Sequence, residues 1–284
     1  MKTPKRIEPL IHDGLVDEVI SQLKSGKEAT VYLVRCGDVL RCAKVYKDAH
    51  HRSFKQATAY REGRKVKNSR DARAMEKGSR FGKQELEDAW QNAEVSALYR
   101  LAAAGVRVPK PHGCFDGVLL MDMVSDGQGG PAPRLSEVDF TPELALDYHE
   151  QLIREVVRML CAGLVHGDLS EYNILVDDKG PVIIDLPQAV DAAGNNHARG
   201  MLERDVNNLA QFFGQFAEEL LDSRYGKEIW DIYESGELTP DTPLTGIVEE
   251  DEIPADIDSV LREIMDAHDE EMRRREREAA DNED

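Results

Sequence analysis

The chain has 284 residues, with 36 Lys and Arg against 55 Asp and Glu, so its formal net charge is −19. A hydrophobic share of 41% supplies a core for one large or two small domains, which excludes a wholly disordered chain. No run approaches the roughly 18 uninterrupted apolar residues of a spanning helix, and the stretch from Met1 to Gly14 lacks a signal peptide's apolar segment, so the expectation is a soluble, cytoplasmic protein without a membrane partner. Cys36, Cys42, Cys114 and Cys161 show no Cys-x-x-Cys spacing, which points to reduced, packed thiols rather than a disulfide frame or a zinc site.

In chain order, the spacing of Leu15, Val19, Ile20 and Leu23 predicts a helix that stops at Lys24-Ser25-Gly26. Thr30 to Val34 and Val39 to Tyr46 read as strands joined at Gly37-Asp38. From Arg41 to Lys83 there are 14 Lys or Arg and 4 acids, a local +10 in an otherwise acidic chain. Its part from His50 to Gly82 is polar and Gly-punctuated and reads as a long loop. Such a run is usually a solvated loop, and its functional alternative is contact with a polyanion such as nucleotide phosphates or RNA. Lys83 to Leu101 becomes helical, with Leu86, Trp90, Ala93, Ala97 and Leu101 on one face and Gly105 and Pro109 ending it. Strands follow at His112 to Phe115 and Val118 to Met123 around Asp116-Gly117.

The Gly- and Pro-rich stretch Ser125 to Pro133 is read as the junction between two parts of the chain. Thr141-Pro142 opens a helix running through Leu152, Val156 and Leu160 to Gly163. Ile174 to Val176 and Val182 to Ile184 read as short strands, and the chain from Leu202 onward as helical. The order is a sheet-rich part, residues 1–124, a linker, 125–133, a helix-rich part, 134–245, and an acidic helical tail, 246–284. The fold class is α+β with two lobes.

The strongest chemical signal is Leu164-Val-His-Gly-Asp-Leu-Ser-Glu-Tyr-Asn-Ile-Leu-Val176, where Asp168 and Asn173 lie five residues apart in a polar loop between apolar segments. In phosphoryl transfer a carboxylate orients the nucleophile or accepts its proton, and a downstream amide oxygen helps to hold Mg²⁺. Asp185 emerges twelve residues later from Val182-Ile183-Ile184 and offers a third hard oxygen. A lone Asp in such a place is more often a turn or cap. The joint spacing favours a site. In Ser25-Gly-Lys-Glu-Ala-Thr-Val-Tyr32, Gly26 admits close approach of an anion and Lys27 adds positive charge, though the segment alone is a weak signal. Strand alternation places Lys44 with Cys42 and Leu40, and the helix period places Glu94 with Trp90, Ala97 and Leu101. Each charge interrupts an apolar face, which suggests that the two pair.

Together these segments resemble the atypical RIO protein kinase family over roughly residues 15–220, and its type-1 branch in particular, since no winged-helix domain precedes them. Ser25 to Tyr32 looks like the family's phosphate loop, Cys42-Ala-Lys-Val-Tyr46 its lysine strand, and Arg52-Ser-Phe-Lys55 the start of its flexible loop. His166-Gly-Asp-Leu-Ser-Glu-Tyr-Asn173 looks like its catalytic loop, and Ile183-Ile-Asp-Leu-Pro187 its metal loop. The resemblance implies a bilobal kinase fold, ATP with Mg²⁺ or Mn²⁺, and phosphorylation of a protein hydroxyl, including autophosphorylation. It makes Asp168 the catalytic base, Asn173 and Asp185 the metal ligands and Lys44 the phosphate lysine. It also implies nucleotide contacts from Ser25, Gly26, Lys27, Glu28, Val31 and Glu94, with Met121, Asp122 and Met123 as the hinge that receives adenine. In this family the metal-loop Asp can itself receive phosphate, which would make Asp185 a phosphoacceptor in an ATPase cycle.

The chain departs from ordinary protein kinases in Gly167 between His and Asp, in Leu186-Pro187 after Asp185, and in lacking an Ala-Pro-Glu segment. Control by activation-loop phosphorylation and the usual peptide platform are therefore not expected. Two other readings remain at this point. One is a small-molecule phosphotransferase of the aminoglycoside or sugar kinase type, which shares the His-Gly-Asp-x₄-Asn loop. The other is a nucleotide-gated assembly factor that contacts ribosomal RNA or the ribosome through residues 41–83.

Overall fold

The computed structural model describes residues 3–47 and 93–248. Residues up to Ile247 belong to one compact unit, and the second, 248–284, lies outside the described residues except for Val248. The predicted loop from His50 to Gly82, the flexible-loop segment Arg52 to Lys55, the first turns of the helix from Lys83 and the acidic tail all fall outside the described residues.

Five antiparallel strands form the first layer: β1 (Glu18–Ser25), β2 (Ala29–Cys36), β3 (Val39–Tyr46), β4 (Pro111–Phe115) and β5 (Val118–Asp122), in the order β1-β2-β3-β5-β4. The helix expected over Leu15 to Leu23 is corrected by this sheet, because that segment is mostly strand β1. Register shifts between Val19 and Ser21 and between Gln22 and Lys24 interrupt the two-residue alternation. Apolar residues at bulges then fall three and four apart, which imitates a helical stripe. The helix in this region is the single turn α1 (Glu8–His12), with Pro9 in its first turn, too short to display a period.

Alternation divides the sheet cleanly. Val34, Ala43, Val118 and Leu120 face Ile7, Leu10 and Val16, which close a small core around α1. Ala29, Tyr46 and Leu119 face the other way, toward the main core and the helix α2 (described over 93–103), which contributes Ala97, Leu98 and Leu101. Val31, Lys44 and Leu119 are cross-strand partners in register, so a lysine sits in the middle of an apolar sheet face.

The helical layer contains α3 (Pro142–Cys161), α4 (Ala198–Phe213) and α5 (Tyr225–Ser235). Thr141 caps α3 by accepting the Leu144 amide at 3.3 Å, as the Thr-Pro signal requires. Leu152, Val156 and Leu160 of α3 and Leu202, Val206 and Leu209 of α4 share one core. Two small ribbons lie on it, β6 (Leu164–Val165) with β9 (Val190–Asp191) and β7 (Ile174–Asp177) with β8 (Gly180–Ile183). The Gly/Pro segment is a narrow hairpin rather than an open tether, because Asp126 N–H reaches Gly130 O at 3.0 Å and Ala132 N–H reaches Val124 O at 2.9 Å.

Arg107, just beyond α2, fastens the first layer to the second. Its amide donates to buried Glu155 of α3 at 2.9 Å, its guanidinium donates to Pro181 O at 3.0 Å and to Asp177 at 2.6 Å, and its carbonyl accepts Ile183 N–H at 2.8 Å. Ile183 is two residues from Asp185, so the end of α2 and the candidate site share one support. Among the described residues no helix is long and apolar enough to cross a membrane.

Candidate active site

A cleft is lined by Lys44, Glu94, Leu98, Leu119, Met121, Ile184 and Asp185, among others. On its sheet side, Lys44 Nζ lies 2.5 Å from Glu94 Oε1 and 2.8 Å from Asp185 Oδ1. Tyr46, two residues along β3, donates its hydroxyl to Glu94 Oε2 at 2.7 Å, so both carboxylate oxygens of Glu94 are engaged. Burial pulls the Lys44 pKa down, but the charges of Glu94 and Asp185 outweigh it and raise the pKa above the usual lysine range. The ammonium therefore stays charged while buried. Burial of Asp185 acts upward, and the Lys44 ammonium overcomes it and holds the carboxyl below the usual range.

On the helical side the loop after β6 carries Asp168 and Asn173. Asn173 Nδ2 donates to the Asp168 carbonyl at 2.8 Å, which leaves its Oδ1 as the acceptor of the amide. Ile184 N–H donates to Asn173 O at 2.9 Å, and His166 Nε2 lies 3.1 Å from Ile184 O. Asp168 N–H donates to His166 Nδ1 at 3.3 Å, so the neutral tautomer with hydrogen on Nε2 satisfies both bonds. The two loops are thus tied directly, and Asp168 and Asp185 lie near enough for the second to raise the pKa of the first. Burial is the larger cause of that upward shift in Asp168. Asp185 has φ of 66°, a left-handed conformation costing an Asp roughly 1 kcal/mol, which turns its carboxylate from the end of the ribbon toward Lys44.

The structure gathers Lys44, Glu94, Asp168, Asn173 and Asp185 and lays Val31 and Met121 on the same wall. Ser25, Gly26, Lys27 and Glu28 form the turn between β1 and β2. Lys47 closes that turn by donating to Gly26 O at 2.6 Å and to Ser25 Oγ at 3.2 Å. Gly26 is not left-handed, and a Cβ there would meet only Ala29 O at 3.6 Å, so the position tolerates a side chain in the fold itself. At the expected hinge, Asp122 N–H is already given to Lys110 O at 2.9 Å, and its carboxylate lies 2.5 Å from His112 Nε2.

Of the 14 cations in the basic window, Arg41, Lys44 and Lys47 are described, and the other eleven lie outside the described residues. Lys44 is turned inward to Glu94, whereas Lys47 lies at the exposed turn and bonds to Ser25 and Gly26.

Sequence reasoning missed Asp205. It is buried on α4, where Oδ2 accepts Gly167 N–H at 2.7 Å and Oδ1 accepts Leu169 N–H at 3.1 Å, fixing the backbone on both sides of Asp168. Burial pushes its pKa up to about 6. Arg204 adds a bond to the Gly167 carbonyl, and Asn208 donates to Leu169 O at 3.0 Å. The signal existed, because Asp205 interrupts the stripe of Leu202, Val206 and Leu209 as Glu94 interrupts that of α2.

The donor set fits a hard divalent cation. Asp185 supplies carboxylate and Asn173 amide oxygen, and Mg²⁺ takes one or two such protein ligands beside waters and phosphate oxygens. Among the described residues there is no cluster of three His, Cys, Asp or Glu that would suggest a closed protein cage.

Comparison with known proteins gives concordant results. The family model described as a RIO domain matches residues 30–225. A RIO-type serine/threonine-protein kinase Rio1 from Haloferax volcanii is 38% identical over 209 residues, covering 73% of this chain and 67% of that protein. The protein of the same name from Methanocaldococcus jannaschii is 34% identical, covering 78% of this chain and 71% of its own length. The serine/threonine-protein kinase rio1 of Schizosaccharomyces pombe is 33% identical, and the match spans 72% of this chain but 40% of that longer protein.

Proposed function

Because the chain belongs to the RIO kinase family, as a serine/threonine protein kinase of the Rio1 type, we propose that the cleft between Lys44 and Asp168 is where it transfers the γ-phosphoryl group of ATP to a protein hydroxyl. The observation that carries this reading is the double contact of Lys44 with Glu94 and Asp185, because it places a fixed positive charge beside a carboxylate that reaches toward the catalytic loop.

Lys44 is held by Glu94, so its ammonium meets the nucleotide phosphates without a search through rotamers. Asp168 has its pKa raised, chiefly by burial, which makes it a better proton acceptor for an incoming serine or threonine hydroxyl. That hydroxyl oxygen bonds to the γ-phosphorus as the bond to the bridging oxygen breaks, and ADP carries away the leaving electron pair. Asp205 and Arg204 hold the peptide units around Asp168 so that this carboxylate does not drift. Met123 follows β5 directly and offers backbone to adenine, whereas the Asp122 amide is already committed to Lys110.

The cation proposed is Mg²⁺, held by Asp185 and Asn173, where it would neutralise charge on the phosphate oxygens when bound. The first phosphoacceptor proposed is the chain itself, and the site of action the cytoplasm.

The test is to incubate the purified protein with γ-labelled ATP and Mg²⁺, without another substrate, and to map the label. Retention on a serine or threonine supports the proposal. Label that stays off protein, yet transfers to an added aminoglycoside or sugar, would assign the cleft to small-molecule phosphorylation instead.

A further inference from the structure

Arg134 ends the Gly/Pro segment and forms an isolated antiparallel bridge with Leu175 of β7, beside a bond of 2.9 Å from Val176 N–H to Pro133 O. Opposed residues of an antiparallel pair project to the same side, as do residues two apart along a strand. Ile174 and Val176 turn into the core, so Arg134 shares the outer face of β7 with Leu175, two residues beyond Asn173 at the end of the preceding 3-10 turn. The backbone there is firmly placed: Arg134 N–H donates to Glu137 Oε2 at 3.0 Å, and the next residue, Leu135, is fully buried.

The guanidinium itself makes no hydrogen bond or ion pair within 4 Å among the described residues. Its charge nevertheless reaches Asp185, whose carboxyl it helps to keep ionised. Around the cleft, Lys44 is already matched by Glu94 and Asp185, and Asp168 lies near Asp185. Lys44 and, beside Asp168, Arg204 thus face three carboxylates, so a further cation on the helical side would add to the attraction for a polyphosphate.

We infer that Arg134 is a phosphate-binding residue of the nucleotide site, donating from the floor of the cleft to a phosphate oxygen of ATP while Lys44 acts from the sheet. The inference rests on the reading of the cleft as the ATP site. The planar fork of arginine suits two phosphate oxygens at once, which a lysine ammonium does not reproduce.

Calorimetric titration of the full chain with adenosine, ADP and ATP tests it, using the native protein, Arg134→Met and Arg134→Lys. Arg134→Met is expected to leave the adenosine Kd within about twofold and to weaken ADP and ATP by about tenfold or more, the usual effect of losing a charge-assisted hydrogen bond, with Arg134→Lys in between. Equal weakening of adenosine and ATP would show that Arg134 only supports the floor and would overturn the inference. Native ATP affinity in Arg134→Met would overturn it too, while leaving the ATP site itself intact. Failure of the native protein to bind ATP would instead remove the reading on which the inference stands.

Discussion

Two buried carboxylates, Glu94 on the sheet side of the cleft and Asp205 on the helical side, each interrupt the apolar face of a helix and are 4% and 2% exposed. Glu94 is satisfied by side chains, the Lys44 ammonium at 2.5 Å and the Tyr46 hydroxyl at 2.7 Å. Asp205 is satisfied mainly by backbone, the amides of Gly167 and Leu169. A charge held by a long side chain can follow its partner, whereas one held by peptide dipoles fixes a loop. Under the proposed function, the sheet side carries a cation toward phosphate and the helical side keeps the base still.

The largest effect should come from breaking the charged pair. Lys44→Met leaves Glu94 buried without its counter-charge and is expected to cost about 3–5 kcal/mol in urea unfolding as well as phosphate transfer. The double variant Lys44→Met with Glu94→Met should regain most of the stability and none of the transfer. If the single variant were as stable as the native protein, Glu94 would not depend on Lys44.

Asp205→Ala strips acceptors from two backbone amides and should cost about 2–4 kcal/mol, with Asp205→Asn intermediate because it retains one oxygen. Hydrogen exchange should quicken at Gly167 and Leu169 and not around Glu94. Exchange that quickened equally in both places would erase the distinction between the two sides.

Acidity sharpens the contrast further. The folded pKa of Asp205, about 6, lies above its usual value of 3.8, so between these limits the folded state binds more protons than the unfolded one. Stability contributed by this group is then greatest at the acidic end and declines as pH rises toward 6. Asp205→Asn removes that decline, so its stability relative to the native protein should improve by about 1–3 kcal/mol from pH 4 to 7. A difference that stayed flat with pH would mean that Asp205 is not strained by burial. The smallest change is Tyr46→Phe, which deletes one bond to Glu94 and should cost about 1–2 kcal/mol with Lys44 still paired.

Much of this arrangement was legible in the sequence because it depends on local chemistry. Thr141-Pro142 announces α3, the misplaced charges Lys44 and Glu94 find each other, and the loops that carry Asp168, Asn173 and Asp185 meet, with Ile184 N–H on Asn173 O. Where reading failed, the cause was long-range. Strand β1 carries two register shifts that hide its alternation, so only pairing with β2 defines it. Asp205 is bound to a loop 36 and 38 residues earlier in the chain, and Arg134 is placed by a backbone bridge to the distant Leu175. Neither connection leaves a periodic trace.

The central claim is that Asp168 acts on the attacking hydroxyl while the sheet side holds the nucleotide. Measuring both ATP affinity and the rate of label transfer for Asp168→Ala tests it most directly. The expected result is near-native affinity with transfer abolished. Transfer at the native rate would contradict the account.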